Sequence, residues 1–472
     1  MAAPPSLPRS TPAAEGVDSR GVLALLDALE AGGFDPHSLM VLRHGRVVAE
    51  GWWAPYGPAT TTLLYSLSKT FTAAAVGLAV GEGRLGVDDL VADLLAGSAV
   101  ASVPEPRPAH LDRLRVRHLL AMASGHHADT MLAVAASPDD PVGAFLRLEP
   151  DHEPGTWFAY NQGCTLTLSA IVTARTGERL VDYLRPRLFE PLGIPAADWL
   201  RTRVGVDQGF SGLHVATESI AKLGQLLLDG GRWAGRQLLP AGFVADARRR
   251  QVANEHHSQN ADWRQGYGWQ MWMCTHGAVR GDGAFGQFCV LLPDADAVVV
   301  LTSQTQDMQG ELDALWAHLL PALGGPVDPG ADAELAGRLA ALSTATRPAA
   351  PAAAGGPGRA VEAVPAGRLD AFRAAITGAR VEGTRLTLRT ARGEHRFDLP
   401  VDGSWAWGAL PGLHTPFAEV AVTGGWTGPG AFDADVVFVR TPHRLRLAVR
   451  TDPVPVLRSR WQEPPLGPPV EG

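Results

Sequence analysis

Ser66 and Lys69 lie three residues apart in the run Leu63-Leu64-Tyr65-Ser66-Leu67-Ser68-Lys69-Thr70-Phe71, and the TAAAVGLAVGEGRL that follows is apolar nearly all round as far as Gly81 and Gly83. Such a run predicts a helix buried within a domain and opened by Ser66. Residues three apart in a first turn share a face, which places the Lys69 amine beside the Ser66 hydroxyl. A serine hydroxyl becomes a nucleophile when a neighbouring base takes its proton, and a lysine stripped of water can have its pKa lowered far enough to be that base. The free N–H groups and the dipole of a helix N-terminus also face any oxyanion that forms there. Spacing alone fits equally a plainer reading, with Ser66 as an N-cap and Lys69 reaching to water.

Nearly all of the 41 basic residues are arginine, and lysine occurs only at Lys69 and Lys222. Both follow a serine by three. Around Ser219-Ile220-Ala221-Lys222, however, the run SIAKLGQLLLDGG is amphipathic, with Ile220, Leu223, Leu226 and Leu227 on one face. That pattern puts Lys222 on the polar side as a solvated lysine. Arginine is always protonated, so at position 69 lysine is the cation that can serve as a base.

Three more segments follow in order: 116–125 (VRHLLAMASG), 154–163 (PGTWFAYNQG) and 188–194 (LFEPLGI). With the Tyr65–Phe71 run they resemble the serine β-lactamase-related hydrolases, a group that includes penicillin-recognising enzymes, class C β-lactamases, family VIII esterases and 6-aminohexanoate-oligomer hydrolases. The resemblance covers roughly residues 10–325 and says little of 345–472. It implies that Tyr160 lies across the cleft from Ser66 and shares proton traffic with Lys69. The asparagine of the second family motif falls on Gln162, with Asn161 one place early, and both are expected at the substrate. The third motif is met best by Gly281-Asp282-Gly283, also expected at the substrate. Ala284 follows, and its N–H would complete an oxyanion hole with that of Ser66. The cation that the family carries at position 281 is missing, which weighs against substrates bearing the carboxylate of a penicillin or a D-Ala-D-Ala peptide; Arg280 and His276 are the candidate replacements.

The resemblance thus implies a serine hydrolase that forms an acyl-enzyme with a small ester or amide, without cofactor or metal. A β-lactamase or D-Ala-D-Ala carboxypeptidase is the alternative within the group, and a non-catalytic ligand-binding protein on the same fold the alternative outside it. Trp263, Trp269 and Trp272 read as core residues, one of them available to wall an apolar acyl pocket. The pairs His126-His127 and His256-His257 lack the i, i+4 spacing of a helical metal site and read as loop histidines. The chain has no G-x-S-x-G elbow, P-loop or Rossmann fingerprint in a suitable setting.

To hold such a site the chain needs a scaffold, and its periodicity supplies one. Residues 18–33 carry Val22, Leu25, Leu26 and Leu29 at helical spacing behind Asp18 or Ser19 as N-cap. Segments 39–43 and 46–53 read as strands joined at His44-Gly45. The pattern from 55 to 266 is mostly helical; β-prone runs return at 267–275, 278–280, 285–292 and 297–303, with Pro293-Asp294 turning the last pair. Residues 307–320 read as a closing helix stopped by Pro321. This order predicts an α+β fold of the β-lactamase/DD-peptidase type. An antiparallel sheet is flanked by terminal helices, a helical subdomain is inserted, and the site lies in the cleft between them.

Residues 343–367 are rich in Ala, Pro and Gly and read as a linker between a hydrolase domain at 1–330 and a small β-rich accessory domain at 368–472. In the latter, β-prone runs at 380–390, 394–399, 417–422, 434–439 and 444–450 suggest a small sandwich or barrel with no catalytic constellation, a packing or gating appendage.

Composition excludes several other classes. With 472 residues, 46% hydrophobic and 19% charged, the chain has ample material for a core. A net charge of -8 leaves no basic excess for nucleic acid. Three cysteines without CxxC spacing argue against a disulfide framework or a zinc ribbon. No apolar run is long enough for a membrane helix, and the N-terminal MAAPPSLPRSTPAAEGV has no apolar signal core, so a cytoplasmic location is expected. Oligomeric state is not legible.

Overall fold

The computed structural model describes residues 6–195, 197–344, 360–365, 376–411, 417–452 and 454–466. In chain order the first unit contains helix α1 (Ser19–Ala31), the hairpin β1 (Pro36–Arg43) and β2 (Arg46–Trp52), strand β3 (Thr62–Leu63) and helix α2 (Ser68–Gly81). A mostly helical stretch follows, including α3 (Gln162–Thr176), strand β4 (Leu213–Val215) and α4 (Thr217–Leu228). Strands β5 (Trp272–Met273), β6 (Val279–Gly283), β7 (Gln287–Leu292) and β8 (Ala297–Ser303) come next, then α5 (Met308–Ala314) and α6 (Ala331–Ala340).

Six strands form one antiparallel sheet in the order β2-β1-β8-β7-β6-β5. Both faces are apolar because the strands alternate two hydrophobic sets. Leu39, Val41, Val290, Val299 and Leu301 face the terminal helices with Leu25, Leu26, Leu312 and Leu335. Met40, Leu42, Leu291, Val298 and Val300 face the helical subdomain. Each fully buried side chain of this size contributes about 1.5–3 kcal/mol. Helix α4 reaches the sheet closely at Gly224, where an added Cβ would stand 2.7 Å from Val298 and 2.8 Å from Cys289. The fold is thus the antiparallel sheet with terminal helices and inserted helical subdomain that the element order predicts.

Several local expectations are corrected. The 267–275 run narrows to Trp272–Met273 because Gln270 has a φ of 56° and Gly268 fits against the Ala247 carbonyl, which breaks extended pairing. The closing helix does not stop at Pro321 but continues from Met308 through a π-type turn, Leu315–Leu319, into a 3₁₀ turn, Leu320–Ala322, that includes the proline. Helix Ala331–Ala340 has no counterpart among the expected elements; it covers β2 and α1 with Leu335 and Leu339, and Arg338 pairs with Glu30 at 2.5 Å. Lys222 is not solvated: it is 4% exposed, and its Nζ donates to the Gly193 carbonyl at 2.9 Å and lies 3.3 Å from Glu218.

Of the expected linker, residues 345–359 and 366–367 lie outside the described residues, while Val361–Pro365 forms strand β9. Strands β10 (Ile376–Glu382), β11 (Arg385–Thr390), β12 (Gly393–Asp398), β13 (Ala406–Ala409), β14 (Glu419–Gly428), β15 (Ala431–Phe438), β16 (His443–Arg450) and β17 (Val456–Trp461) complete a nine-stranded sheet. Its order is β12-β11-β10-β9-β17-β16-β15-β14-β13. The edges approach where the Phe397 ring packs on Gly408, so the sheet curls into a barrel around Val381, Leu388, Phe397, Val422, Phe432 and Leu447. The 380–390 run is a hairpin rather than one strand, turned at Gly383 with a φ of 60°.

Candidate active site

Ser66 occupies a 3₁₀ turn, Tyr65–Leu67, that leads into α2 at Ser68; the helix is therefore entered just after Ser66 rather than opened by it. Twelve of the fourteen residues of α2 are buried, including Lys69 at 1% exposure. The Lys69 ammonium cannot reach bulk water from there, and its Nζ donates to Ser66 Oγ and to the Phe210 carbonyl, each at 2.9 Å. Burial pulls its pKa down to about 7, against the opposing pull of the Asp129 and Asp282 charges. The first turns of α2 are tied to the segment before β4: Leu213 N–H donates to Ser68 Oγ at 3.2 Å and Thr72 Oγ1 to the Gly209 carbonyl at 2.9 Å.

Tyr160 arrives from the segment just before α3. Its ring centroid lies 4.7 Å from Lys69 Nζ, and its ring stacks on Trp272 at 5.1 Å. Burial, then the charge of Asp282, push the phenol above its ordinary pKa, so the hydroxyl stays protonated. Ser66, Lys69 and Tyr160 therefore meet although 94 residues separate the first from the last.

Asn161 is fully buried and caps α3: its Oδ1 accepts from Gly163 N–H at 2.9 Å and from Thr130 Oγ1 at 2.7 Å, leaving Nδ2 without a partner. Gln162 opens the helix, its backbone N–H donating to Asp129 Oδ1 at 2.9 Å. On β6, period-2 alternation splits the Gly281-Asp282-Gly283 set. Both glycines face the Ser66 turn so closely that a Cβ on Gly283 would stand 2.0 Å from the Leu64 carbonyl, and one on Gly281 2.3 Å from Thr70 Oγ1. Asp282 points the other way, accepting from Trp272 Nε1 at 2.9 Å and from Arg280 Nη2 at 3.0 Å. Ala284 follows the strand and packs beside Leu63, Tyr65 and Phe285.

Neither candidate replacement cation serves the cleft. Arg280 is fully buried, bound to Asp282, the Asp262 carbonyl and Cys274, and lies over Trp263 at 4.1 Å; His276 packs on Trp316.

Beside Tyr160 opens a cavity of about 450 Å³ lined by His127, Asp129, Trp157, Phe158, His256 and His257, among others, with no lysine or arginine on its wall. Trp157 lies between His152 and His256, at 4.5 and 4.1 Å, and His257 stacks on Trp272 at 5.3 Å. This aromatic wall is what the reading of His127, His256 and His257 as plain loop histidines misses. They do sit in loops, but loops that converge from segments a hundred residues apart, and only the placement of Trp157 within the 154–163 motif hinted at it. Among the described residues no group of three or more His, Cys, Asp or Glu is arranged to hold a metal ion.

The profile of the family described as Beta-lactamase matches residues 24–323. A 6-aminohexanoate-dimer hydrolase of Paenarthrobacter ureafaciens is 28% identical over 299 residues, covering 57% of this chain and 73% of the relative. A D-aminopeptidase of Brucella anthropi is 32% identical over 192 residues, 36% of this chain and 34% of that protein, so the chain spans about a third of its length. Among solved structures, the octameric penicillin-binding protein homologue from Pyrococcus abyssi aligns with a TM-score of 0.50 at 15% identity, covering 93% of this chain and 99% of its own, a likeness of fold.

Proposed function

The chain belongs to the beta-lactamase family, and from that premise we propose that it is a serine hydrolase that carries the acyl group of a small ester or amide on Ser66. The observation that bears most weight is the 2.9 Å contact between a buried Lys69 Nζ and Ser66 Oγ. Near pH 7 about half of the Lys69 amines are neutral, enough to accept the hydroxyl proton as Oγ bonds to the substrate carbonyl carbon. The backbone N–H groups of Ser66 and Ala284 hold the resulting oxyanion. Tyr160, kept as a neutral phenol, gives its proton to the leaving alcohol or amine and regains one from Lys69. Water then attacks the ester on Ser66, Lys69 takes a proton from it, and the acid leaves as Oγ recovers its hydrogen.

The wall of the cavity beside Tyr160, without lysine or arginine but with Asp129, disfavours a carboxylate-bearing substrate. That distinguishes a small neutral ester or amide from a penicillin or D-Ala-D-Ala peptide. A cytoplasmic setting accords with three cysteines that are all buried and unbridged. Among the described residues no helix is long and apolar enough to cross a membrane.

The test is a panel of p-nitrophenyl esters, short amides and β-lactams run beside a fluorophosphonate probe. Wild-type protein is expected to turn over esters or amides faster than β-lactams and to label at Ser66. Ser66→Ala is expected to lose both turnover and label, and labelling that persists in that variant overturns the proposal.

A further inference from the structure

We infer that the C-terminal barrel holds the oxyanion-binding backbone of the active site in place through His443, a positioning residue, and is thereby part of the catalytic apparatus. The inference rests on the proposed roles of Ser66 and Ala284. Each of these residues adjoins a bulky neighbour in the left-handed region: Tyr65, with a φ of 46°, precedes Ser66, and Phe285, with a φ of 69°, follows Ala284. The Ser66 N–H belongs to the Tyr65–Ser66 peptide, so the conformation of Tyr65 aims that donor. Large L-residues hold this conformation only where their surroundings fix it.

Those surroundings come from the barrel. The Tyr65 and Phe285 rings meet edge to face at 5.3 Å, and the His443 ring from the start of β16 closes on both, at 5.8 Å from Tyr65 and 4.9 Å from Phe285. The Tyr65 hydroxyl lies 2.6 Å from His443 Nε2, and His443 Nδ1 lies 3.0 Å from the Glu463 carbonyl. A carbonyl only accepts, so Nδ1 carries the hydrogen; in the neutral ring Nε2 then accepts from the tyrosine O–H. All three rings are buried. The backbone approach to Ser66 is held as well, since Leu63 N–H on β3 donates to the Arg440 carbonyl of the barrel at 3.0 Å. Two elements 378 residues apart thus fix the turn on either side of the oxyanion donors.

The test compares the full-length wild type with Tyr65→Phe, His443→Phe, the double variant and His443→Gln. Fluorophosphonate labelling at Ser66 and p-nitrophenyl ester kinetics are the readouts. Tyr65→Phe removes a single oxygen and leaves the ring in place, so it tests the contact without emptying the core. Each Phe variant is expected to slow labelling and kcat about tenfold with KM unchanged, and the double variant to fall no further, as for two ends of one hydrogen bond. In His443→Gln an amide oxygen can accept from Tyr65, and it is expected to recover the rate to within about threefold of wild type. Wild-type rates in Tyr65→Phe and His443→Phe, losses that multiply in the double variant, or no recovery with glutamine overturn the inference. Wild-type protein that does not label at Ser66 overturns instead the hydrolase reading on which it rests.

Discussion

An ammonium group stripped of water destabilises the protein around it, and at Lys69 the cost can be read from the pKa. An unfolded lysine stays protonated up to about 10.5, whereas the folded Lys69 releases its proton near 7, so between those values the unfolded state binds more protons. Stability contributed at this site therefore rises with pH across that window, and the penalty is largest at and below pH 7. Lys69→Met is expected to stabilise the protein at pH 7 by on the order of 2–4 kcal/mol while abolishing turnover, with the gain shrinking as pH climbs toward 10. Denaturant melts of the two proteins at pH 7 and 9.5 check this, and an equal difference at both pH values would count against a depressed Lys69. In catalysis loss of the same proton works in the same direction: kcat/KM should climb with pH through about 7, and Lys69→Arg, never neutral, should be inactive at every pH. The Ser66–Lys69 pair was legible through the motifs that follow it in order, since three-residue spacing in an apolar helix fits a capping serine and a lysine reaching to water equally well. Lys222 was not legible. An amphipathic pattern assigns a face but does not reveal the Gly193 carbonyl and Glu218 that satisfy a buried cation there.

At the scale of elements, the site depends on how closely β6 approaches the Ser66 turn, and glycine makes that approach possible. A Cβ at Gly283 would overlap the Leu64 carbonyl at 2.0 Å, a backbone atom that cannot rotate away. Gly283→Ala is therefore expected to push the strand and the Ala284 amide outward, costing about 1–3 kcal/mol of stability and slowing acylation by about tenfold or more. Gly242, near the start of the helix Ala241–Ala247, has nothing within 4 Å of the same added atom. Gly242→Ala should leave acylation unchanged and gain about 0.5–1 kcal/mol. Thermal melts with burst kinetics separate the pair, and a Gly283→Ala protein that acylates like wild type would sink the close-approach argument. Elements with a clear local signal were legible: α1 by its four core positions, and β1, β2 and β8 as short β-prone runs bounded by turn residues. Those governed by tertiary contacts were not. Helix α6 is short and carries only two large apolar residues, so it shows its role only where Leu335 and Leu339 meet β2 and α1. The 267–275 run looked β-prone, yet its backbone turns at Gln270 because Gln270 is bound across the interior to Thr165 and to the Leu119 and Leu120 carbonyls.

For the whole molecule the consequential contact is between the barrel and the sheet-and-helix unit. A sequence read by local pattern could not supply it, since Tyr65 and His443 carry no signal that names each other. The seam is ionic as well as aromatic. Arg444, 4% exposed, sits between two buried carboxylates, 3.1 Å from Asp35 Oδ1 at the entry to β1 and 3.9 Å from Asp435 in the barrel, and Gln462 Nε2 donates to Asp35 Oδ2 at 2.9 Å. Burial pushes the Asp35 carboxyl above its ordinary pKa and Arg444 opposes that push. Arg444→Met removes the cation while keeping most of the bulk, and takes away the ion-pair partner that the Asp35 and Asp435 carboxylates share. Breaking one partner out of such a pair costs about 3–5 kcal/mol. Because the pair spans both units, the loss should weaken their docking more than either core. Wild-type protein is expected to unfold in one calorimetric transition and Arg444→Met in two, with the separation narrowing as pH falls and Asp35 takes up a proton. If the barrel also fixes the Ser66 turn, ester turnover by Arg444→Met should fail at the first of its two transitions, before the sheet and its helices melt. Activity that survives to the second transition would mean that the two units share a seam but not a function.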